Sequence, residues 1–392
     1  MTSTTSLDGP VAAATLRDLT ATESELSERG RTLTDRTVEA LWDCGLMQWF
    51  NPKEAGGGEP SFTEMIETWI ELAWQDGSLG WIGIANFPSA AASAAYLSDE
   101  GFDEVFTRNG NRVTVGGQFF PNGLAEIVDG GYRLTGAWNF GSGTGHSEFV
   151  AAGFIPTRNS EMVVADNGLP PLMVAVIPHD EIVFTDGWFV QGLKGTGSYD
   201  YNVTDLFVPE SRTYELFCRV PHRGGSAAFR MGLIPITAAG HGSWALGVSK
   251  SMLDDVTELA AIKVRMGDES TIANRATFQR GLSHHQAMWK AAHLLLSATF
   301  ADIEHAVDSG QPLTPSMRAD MRMTAAYATE ASREIVQWAH LSGGTTAIRE
   351  GSRLERAFRD MYTGTQHVFI GEKAYTDAAR IHIGLIDDQF GF

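Results

Sequence analysis

Cysteine is nearly absent from this 392-residue chain, which has only Cys44 and Cys218. They stand far apart and match neither a zinc-ligand nor a redox spacing. That excludes a disulfide framework and points to a reduced, cytoplasmic setting. Basic residues are scarce too: 29 Lys and Arg face 48 Asp and Glu, a net charge of −19. Such a surface repels phosphate backbones and anionic lipid, so neither nucleic-acid nor membrane binding is expected. Long apolar runs are missing. The most apolar window, Trp81 to Leu97, is interrupted by Asn86, Pro88 and Ser89 and reads as buried helix, not a membrane span. The opening MTSTTSLDGP lacks a basic stretch followed by an apolar one, so no secretory leader is expected. There is no H-E-x-x-H, no Walker A loop, no internal repeat and no low-complexity tract. Adjacent His284 and His285 would diverge by about 100° on a helix. No other His, Asp and Glu cluster falls at ligand spacing, so no metal site is expected.

What is present is a globular composition, 43% hydrophobic and 20% charged, in a chain of roughly two or three domains' length. Its texture predicts an α+β, mainly α, multi-domain fold in three parts. Residues 1–111 read as a helical domain, with Leu16, Leu19, Val38, Leu41 and Leu46 at helix spacing. Ser61 to Glu64 is a capping box opening a helix through Ile66, Trp69, Ile70 and Leu72. Asp76-Gly-Ser-Leu-Gly-Trp81 then breaks and restarts the pattern. Over residues 112–212 the period changes to two. Tyr132, Leu134, Trp138 and Phe140 alternate with Arg133, Thr135, Ala137 and Asn139 after a hairpin turn at Asp129-Gly-Gly131. Further strands fit 113–120, 147–155, 171–178, 181–188 and 199–208, a small β-barrel or sandwich. Residues 213–392 predict a four-helix bundle from segments 251–266, 272–308, 315–341 and about 350–380. Thr314-Pro315 opens the third of these.

Two places carry candidate chemistry. Asp360, Gly364, His367 and Gly371 fall at i, i+4, i+7 and i+11 of the last predicted helix and would share one face. A mid-helix glycine costs about 1 kcal/mol relative to alanine. Two of them flanking a histidine indicate either a bulky ligand or tight helix packing on that face. A neutral histidine there can act as acid, base or donor. Ser142, between Gly141 and Gly143 at the end of an aromatic strand, would let a planar ligand approach the backbone, with Trp138 and Phe140 as a stacking wall. The alternative is an ordinary turn serine. Gly192-Leu-Lys-Gly-Thr-Gly-Ser198 has the wrong order for a phosphate loop, and Gly141-Ser-Gly-Thr-Gly145 lacks the third glycine and the helix of a dinucleotide site. Both read as strand-end turns.

In this order and spacing, several stretches together are informative: Asp76–Trp81, Pro121-Asn-Gly-Leu-Ala125, Gly130-Gly-Tyr132, Trp138-Asn-Phe-Gly-Ser-Gly143, Gly192–Ser198, Val208-Pro-Glu210, Ser342-Gly-Gly-Thr345, Arg359-Asp360 and His367. With them the chain resembles the acyl-CoA dehydrogenase superfamily over nearly its whole length. It is most similar to the oxygenase components of two-component, reduced-flavin-dependent monooxygenases of the phenol and steroid hydroxylase type. The resemblance implies the acyl-CoA dehydrogenase-like fold. It also implies reduced FMN or FAD from a separate flavin reductase, O2, a C4a-hydroperoxyflavin, hydroxylation of a small aromatic, polycyclic or heteroatom-containing molecule, and a homotetramer. By residue, it implies that Ser142 hydrogen-bonds near flavin N5, and that Trp81, Phe119 and Phe140 line the flavin ring. Gly343, Gly344 and Thr345 would meet the ribityl-phosphate region across a subunit interface. Arg280 would contact the phosphate, and His367 would stand over the flavin edge as a catalytic and substrate-contacting residue.

Two departures qualify the substrate. The aromatic hydroxylases place a second histidine about eight residues beyond the Trp, where this chain has Ser89, and relatives often have serine at Gly117. Ser89 can donate a hydrogen bond but is a poor base, so a substrate needing no deprotonation is one expectation and a non-catalytic relative of the fold another. The alternative activity is an acyl-CoA dehydrogenase or oxidase, which needs a carboxylate base. Here Tyr362-Thr-Gly-Thr365 puts Thr363 in the acid's place, and Glu372 is the nearest substitute.

Overall fold

The computed structural model describes residues 7–388 apart from Asp166 and Asp186; six of the ten residues read for a leader lie outside that range. The order is helices, one sheet, then helices. The first group comprises α1 (Gly9–Ala14), α2 (Arg17–Gly30), α3 (Asp35–Asp43), α4 (Leu46–Trp49), α5 (Phe62–Gln75), α6 (Gly77–Tyr96) and α7 (Asp99–Val105). The capping box at Ser61 is formed: Ser61 Oγ accepts the Glu64 N–H at 3.3 Å, and Glu64 Oε2 accepts the Ser61 N–H at 2.9 Å. The expected break and restart is also found. Asp76 caps α6 by accepting the Ser78 and Leu79 N–H groups at 2.9 and 3.0 Å. That cap fixes where α6 starts and puts Trp81 near its first turn. The rest of α6 is almost wholly buried, Pro88 included.

The sheet runs β6-β7-β2-β1-β3-β5-β8 in space, with β4 paired to β3. Its strands are β1 (Val115–Val128), β2 (Gly131–Gly141), β3 (Phe149–Arg158), β4 (Glu161–Met162), β5 (Met173–Pro178), β6 (Val183–Thr185), β7 (Tyr199–Pro209) and β8 (Thr213–Glu215). The predicted hairpin joins β1 to β2, Val128 opposite Gly131. β1 is longer than its pattern suggested because an irregularity between Gln118 and Gly123 shifts its register against β3 without ending it. Alternation along β3 serves two cores. Val150, Ala152 and Phe154 pack with Leu134, Trp138 and Tyr201 inside the sheet, while Phe149 and Ala151 face the helices.

The second helical group is α8 (Ala227–Met231), α9 (Leu233–Ile262), α10 (Ala276–Asp308), α11 (Pro315–Gly343), α12 (Arg353–Gly364) and α13 (Lys373–His382). Two expectations need correction. The helix placed at 251–266 begins at Leu233. Pro235 and glycines at 240, 242 and 247 weaken its signal, and packing outweighs them. A Cβ on Gly247 would lie 2.4 Å from the Ile70 carbonyl oxygen, so only glycine lets α9 lie this close against α5. The single helix over 350–380 is two. α12 stops at Gly364, a short turn covers Val368–Ile370, and α13 follows. Asp360, Gly364, His367 and Gly371 therefore do not share a helical face. Gly364 is a packing glycine: a Cβ there would meet Trp244 Cη2 at 2.3 Å.

Candidate active site

Trp81 holds the site together. Its indole N–H donates to Ser142 Oγ at 3.1 Å, joining the start of α6 to the turn after β2. That turn is pinned by the Gly117 N–H, which donates to the Ser142 carbonyl at 3.1 Å. Ser198 Oγ lies 3.1 Å from Ser142 Oγ, and Thr196 Oγ1 lies 2.7 Å from Ser198 Oγ. The glycine-rich stretch 192–198 thus supplies a short hydroxyl chain behind Ser142. An indole N–H can only donate, so Ser142 accepts it; Ser198 Oγ also donates to Ser142 Oγ, which leaves the Ser142 proton for a further partner.

On its other side Trp81 meets two imidazoles and a second indole. Ring centroids are 5.4 Å from His241, 6.0 Å from His367 and 5.1 Å from Trp244, each contact edge to face. His241 and His367 lie 4.4 Å apart, and Phe369 stacks on His241 at 5.8 Å. The Arg322 guanidinium covers the Phe369 ring at 4.3 Å. Burial first, then the neighbouring His241 and the Arg322 charge, hold the His367 pKa well below the usual histidine range. Burial likewise lowers His241 to about 4, its bond to Thr237 opposing and Arg322 reinforcing the shift. Both rings are therefore neutral near pH 7.

The sequence-derived residues divide between two places. Trp81, Ser142 and His367 come together as described. Phe119 lies within β1, two residues from Gly117, and Phe140 lies near the end of β2, two residues from Ser142. The stacking wall needs correction. Trp138 is fully buried in the sheet's own core, its N–H donating to the Gly153 carbonyl at 2.9 Å. Phe140 has a φ of +62° and turns outward, 62% exposed, because the register slips between Trp138 and Gly141. Ser89 is buried about 12 Å further along α6 than Trp81, given the helical rise. Its hydroxyl is spent on the Ala85 carbonyl at 2.7 Å.

Gly343, Gly344 and Thr345 lie elsewhere, at the end of α11. Lys263 Nζ donates to the Gly343 carbonyl at 2.8 Å there, and Arg265 to the Ser342 carbonyl at 3.0 Å. Beside them is a cavity of about 240 Å³ whose lining includes Arg265, Arg275, Thr277, Phe278, Trp338 and Ser342. Arg280 is exposed on the adjoining part of α10. His241, in the third turn of α9, and Lys263, just past its C-terminal end, stand about 33 Å apart at 1.5 Å per residue. That exceeds the reach of an FMN from ring to phosphate. Among the described residues no group of three or more His, Cys, Asp or Glu could hold a metal ion.

His241 escaped the sequence reading. The signal that could have found it is the one that singled out His367: a histidine between glycines, Gly240-His-Gly242, in an apolar stretch.

Comparison with known proteins shows the family. Residues 239–372 match the family model for the acyl-CoA dehydrogenase C-terminal domain. The chain is 30% identical over 360 residues to an indole-3-acetate monooxygenase of Acinetobacter baumannii, covering 89% of this chain and 87% of the relative. Two solved structures share its fold. The 3-HSA hydroxylase of Rhodococcus sp. RHA1 has a TM-score of 0.90 at 22% identity, covering 98% and 99% of the two chains. XiaF of Streptomyces sp., solved with FADH2 and glycerol, has a TM-score of 0.86 at 22% identity, covering 97% and 96%. The chain belongs to the acyl-CoA dehydrogenase superfamily and, within it, to the flavin-dependent monooxygenases that act as oxygenase components.

Proposed function

We propose that the chain binds reduced FMN or FAD delivered by a separate flavin reductase and hydroxylates a small aromatic molecule. The observation that carries this reading is the Trp81 junction. One indole ties a serine with a free hydroxyl proton to two neutral imidazoles in an otherwise apolar setting. When bound, reduced flavin supplies the electrons that activate O2 for transfer of one oxygen atom. The residues fit such a group. Ser142 offers a hydroxyl proton to a ring nitrogen, Phe119 within β1 and the outward-turned Phe140 offer aromatic surface, and His367 offers a ring N–H. The apolar walls exclude the water that would divert reduced oxygen to peroxide. Dehydrogenase chemistry would need a carboxylate base in this cluster. The contacts of Trp81 are instead with imidazoles, and Glu372 is exposed.

The far end of α9 completes the reading. The arginine-lined cavity and the Gly343–Thr345 turn suit the phosphate-bearing tail of a flavin, but not of the flavin held by the same chain's Trp81 junction. A neighbouring copy would supply them, consistent with a homotetramer. Exposed Ile262, Met266, Leu341 and Ile348 at that end of the bundle fit a subunit contact. Labelled oxygen tests the reaction. With reduced flavin, ¹⁸O₂ and indole, one ¹⁸O atom should enter the product. Label recovered only as hydrogen peroxide or water, across a panel of indoles and phenols, would contradict the reading.

A further inference from the structure

The two imidazoles of the site are protonated in opposite senses. His241 Nδ1 lies 2.8 Å from the Thr237 carbonyl oxygen. A carbonyl only accepts, so that nitrogen carries the ring proton and Nε2 holds a lone pair. His367 Nδ1 accepts the Phe369 N–H at 3.3 Å, so its proton sits on Nε2.

The His241 side is left incomplete. His241 is 6% exposed, and its Nε2 is buried without a hydrogen-bond partner. Native interiors seldom leave such an atom unsatisfied. The nearest indole donors are committed: Trp81 N–H to Ser142, and Trp244 N–H to the Gly77 carbonyl at 2.8 Å. Ser89, where a second histidine was sought, faces the Ala85 carbonyl. Aromatic rings surround the imidazole: Trp81 edge-on, Phe369 stacked on His241, His367 beside it. One unpaired acceptor among aromatic rings suits a planar molecule that carries one donor.

We propose that His241 is a specificity-determining residue whose Nε2 lone pair accepts the ring N–H or O–H of a planar aromatic substrate. The proposal rests on the monooxygenase reading above and narrows its substrate class to aromatic rings that carry a hydrogen-bond donor. No proton need be transferred. Burial and the nearby Arg322 charge keep His241 neutral, so it orients the donor without becoming a cation. A ring lacking the donor leaves the acceptor unpaired, which is the strongest form of discrimination a small site achieves.

The test uses matched pairs on the flavin-loaded protein under argon, by calorimetry: indole against 1-methylindole, and 2-naphthol against 2-methoxynaphthalene. The donor-bearing member should bind about tenfold more tightly or better. A preference confined to one pair identifies the donor as N–H or as O–H. H241F, which keeps a ring but no lone pair, should bring that ratio to about one. H241Q, which restores an acceptor oxygen, should recover part of it and serves where H241F does not fold. Equal binding of both members in the wild type, binding of none of the four, or an unchanged ratio in H241F and H241Q overturns the proposal. A donor preference without ¹⁸O incorporation overturns only the monooxygenase reading. Incorporation without a donor preference overturns only the role of His241.

Discussion

Replacing His367 with alanine should spare flavin binding and cut hydroxylated product by about a hundredfold or more, with the oxygen recovered as hydrogen peroxide. The geometry gives the reason. His367 follows the end of α12 at the start of a short turn, where its Nδ1 accepts the Phe369 N–H and its Nε2–H stays free. It meets Trp81 and His241, the two rings that connect it to Ser142 and to the buried acceptor. Removing it deletes the donor and opens the apolar wall together, so oxygen is still reduced but not transferred. The wild type should also show no loss of coupling as pH falls through 6.5, the ordinary histidine value, because His367 stays neutral below it. Stability moves in a set direction. A histidine whose folded pKa is depressed contributes stability that is present above the unfolded value near 6.5. For His241 that contribution is lost as pH falls toward about 4. Product yield per O2 consumed, measured beside peroxide, checks the variant. Coupled turnover surviving in His367→Ala would remove His367 from the mechanism.

Trp244→Ala should cost about 3–5 kcal/mol of unfolding free energy, the range for deleting a fully buried aromatic. Trp244 is 0% exposed and does three things at once. Its N–H donates to the Gly77 carbonyl at the first turn of α6. Its ring backs Trp81 at 5.1 Å. Its far edge fills the space that Gly364 leaves on α12. The truncation would leave a carbonyl unpaired and a cavity beneath the Trp81 cluster. The adjacent Gly364→Ala should destabilise by about 1–3 kcal/mol through the opposite fault, overpacking. Urea unfolding, read as a shift in midpoint at constant slope, measures both. A loss below about 1 kcal/mol for Trp244→Ala would mean that Trp81 is positioned by the β turn alone.

The parts of this architecture that local chemistry dictates were legible in the sequence. The capping box at Ser61, the Asp76 restart, the hairpin at Asp129-Gly130 and the Thr314-Pro315 helix start depend on side chains acting within a few residues, and all form. What was hidden depends on partners far along the chain. The first half of α9 looks unhelical because its glycines exist for α5, α6 and α10 to pack against. The break after Gly364 was masked because that glycine's spacing also fits a continuous helix, while its cause is the Trp244 ring 120 residues earlier. Phe140 carries the right residue type in the right alternation, yet a register slip turns it outward. The site followed the same division. Ser142, Trp81 and His367, which the fold brings together, stand out in local patterns and the family resemblance. His241 does not, because the second imidazole was sought on α6 and arrives from α9 instead.

Rapid mixing with oxygen shows whether the site holds reduced flavin and oxygen together long enough for transfer. The protein is loaded anaerobically with chemically reduced FMN, then with FAD, and mixed with oxygenated buffer in a stopped-flow spectrometer. The account predicts, with at least one of the two flavins, a transient absorbing in the near ultraviolet that forms before oxidised flavin appears and that decays faster in Ser142→Ala. Single-step return to oxidised flavin with both, indistinguishable from flavin free in solution, would contradict it.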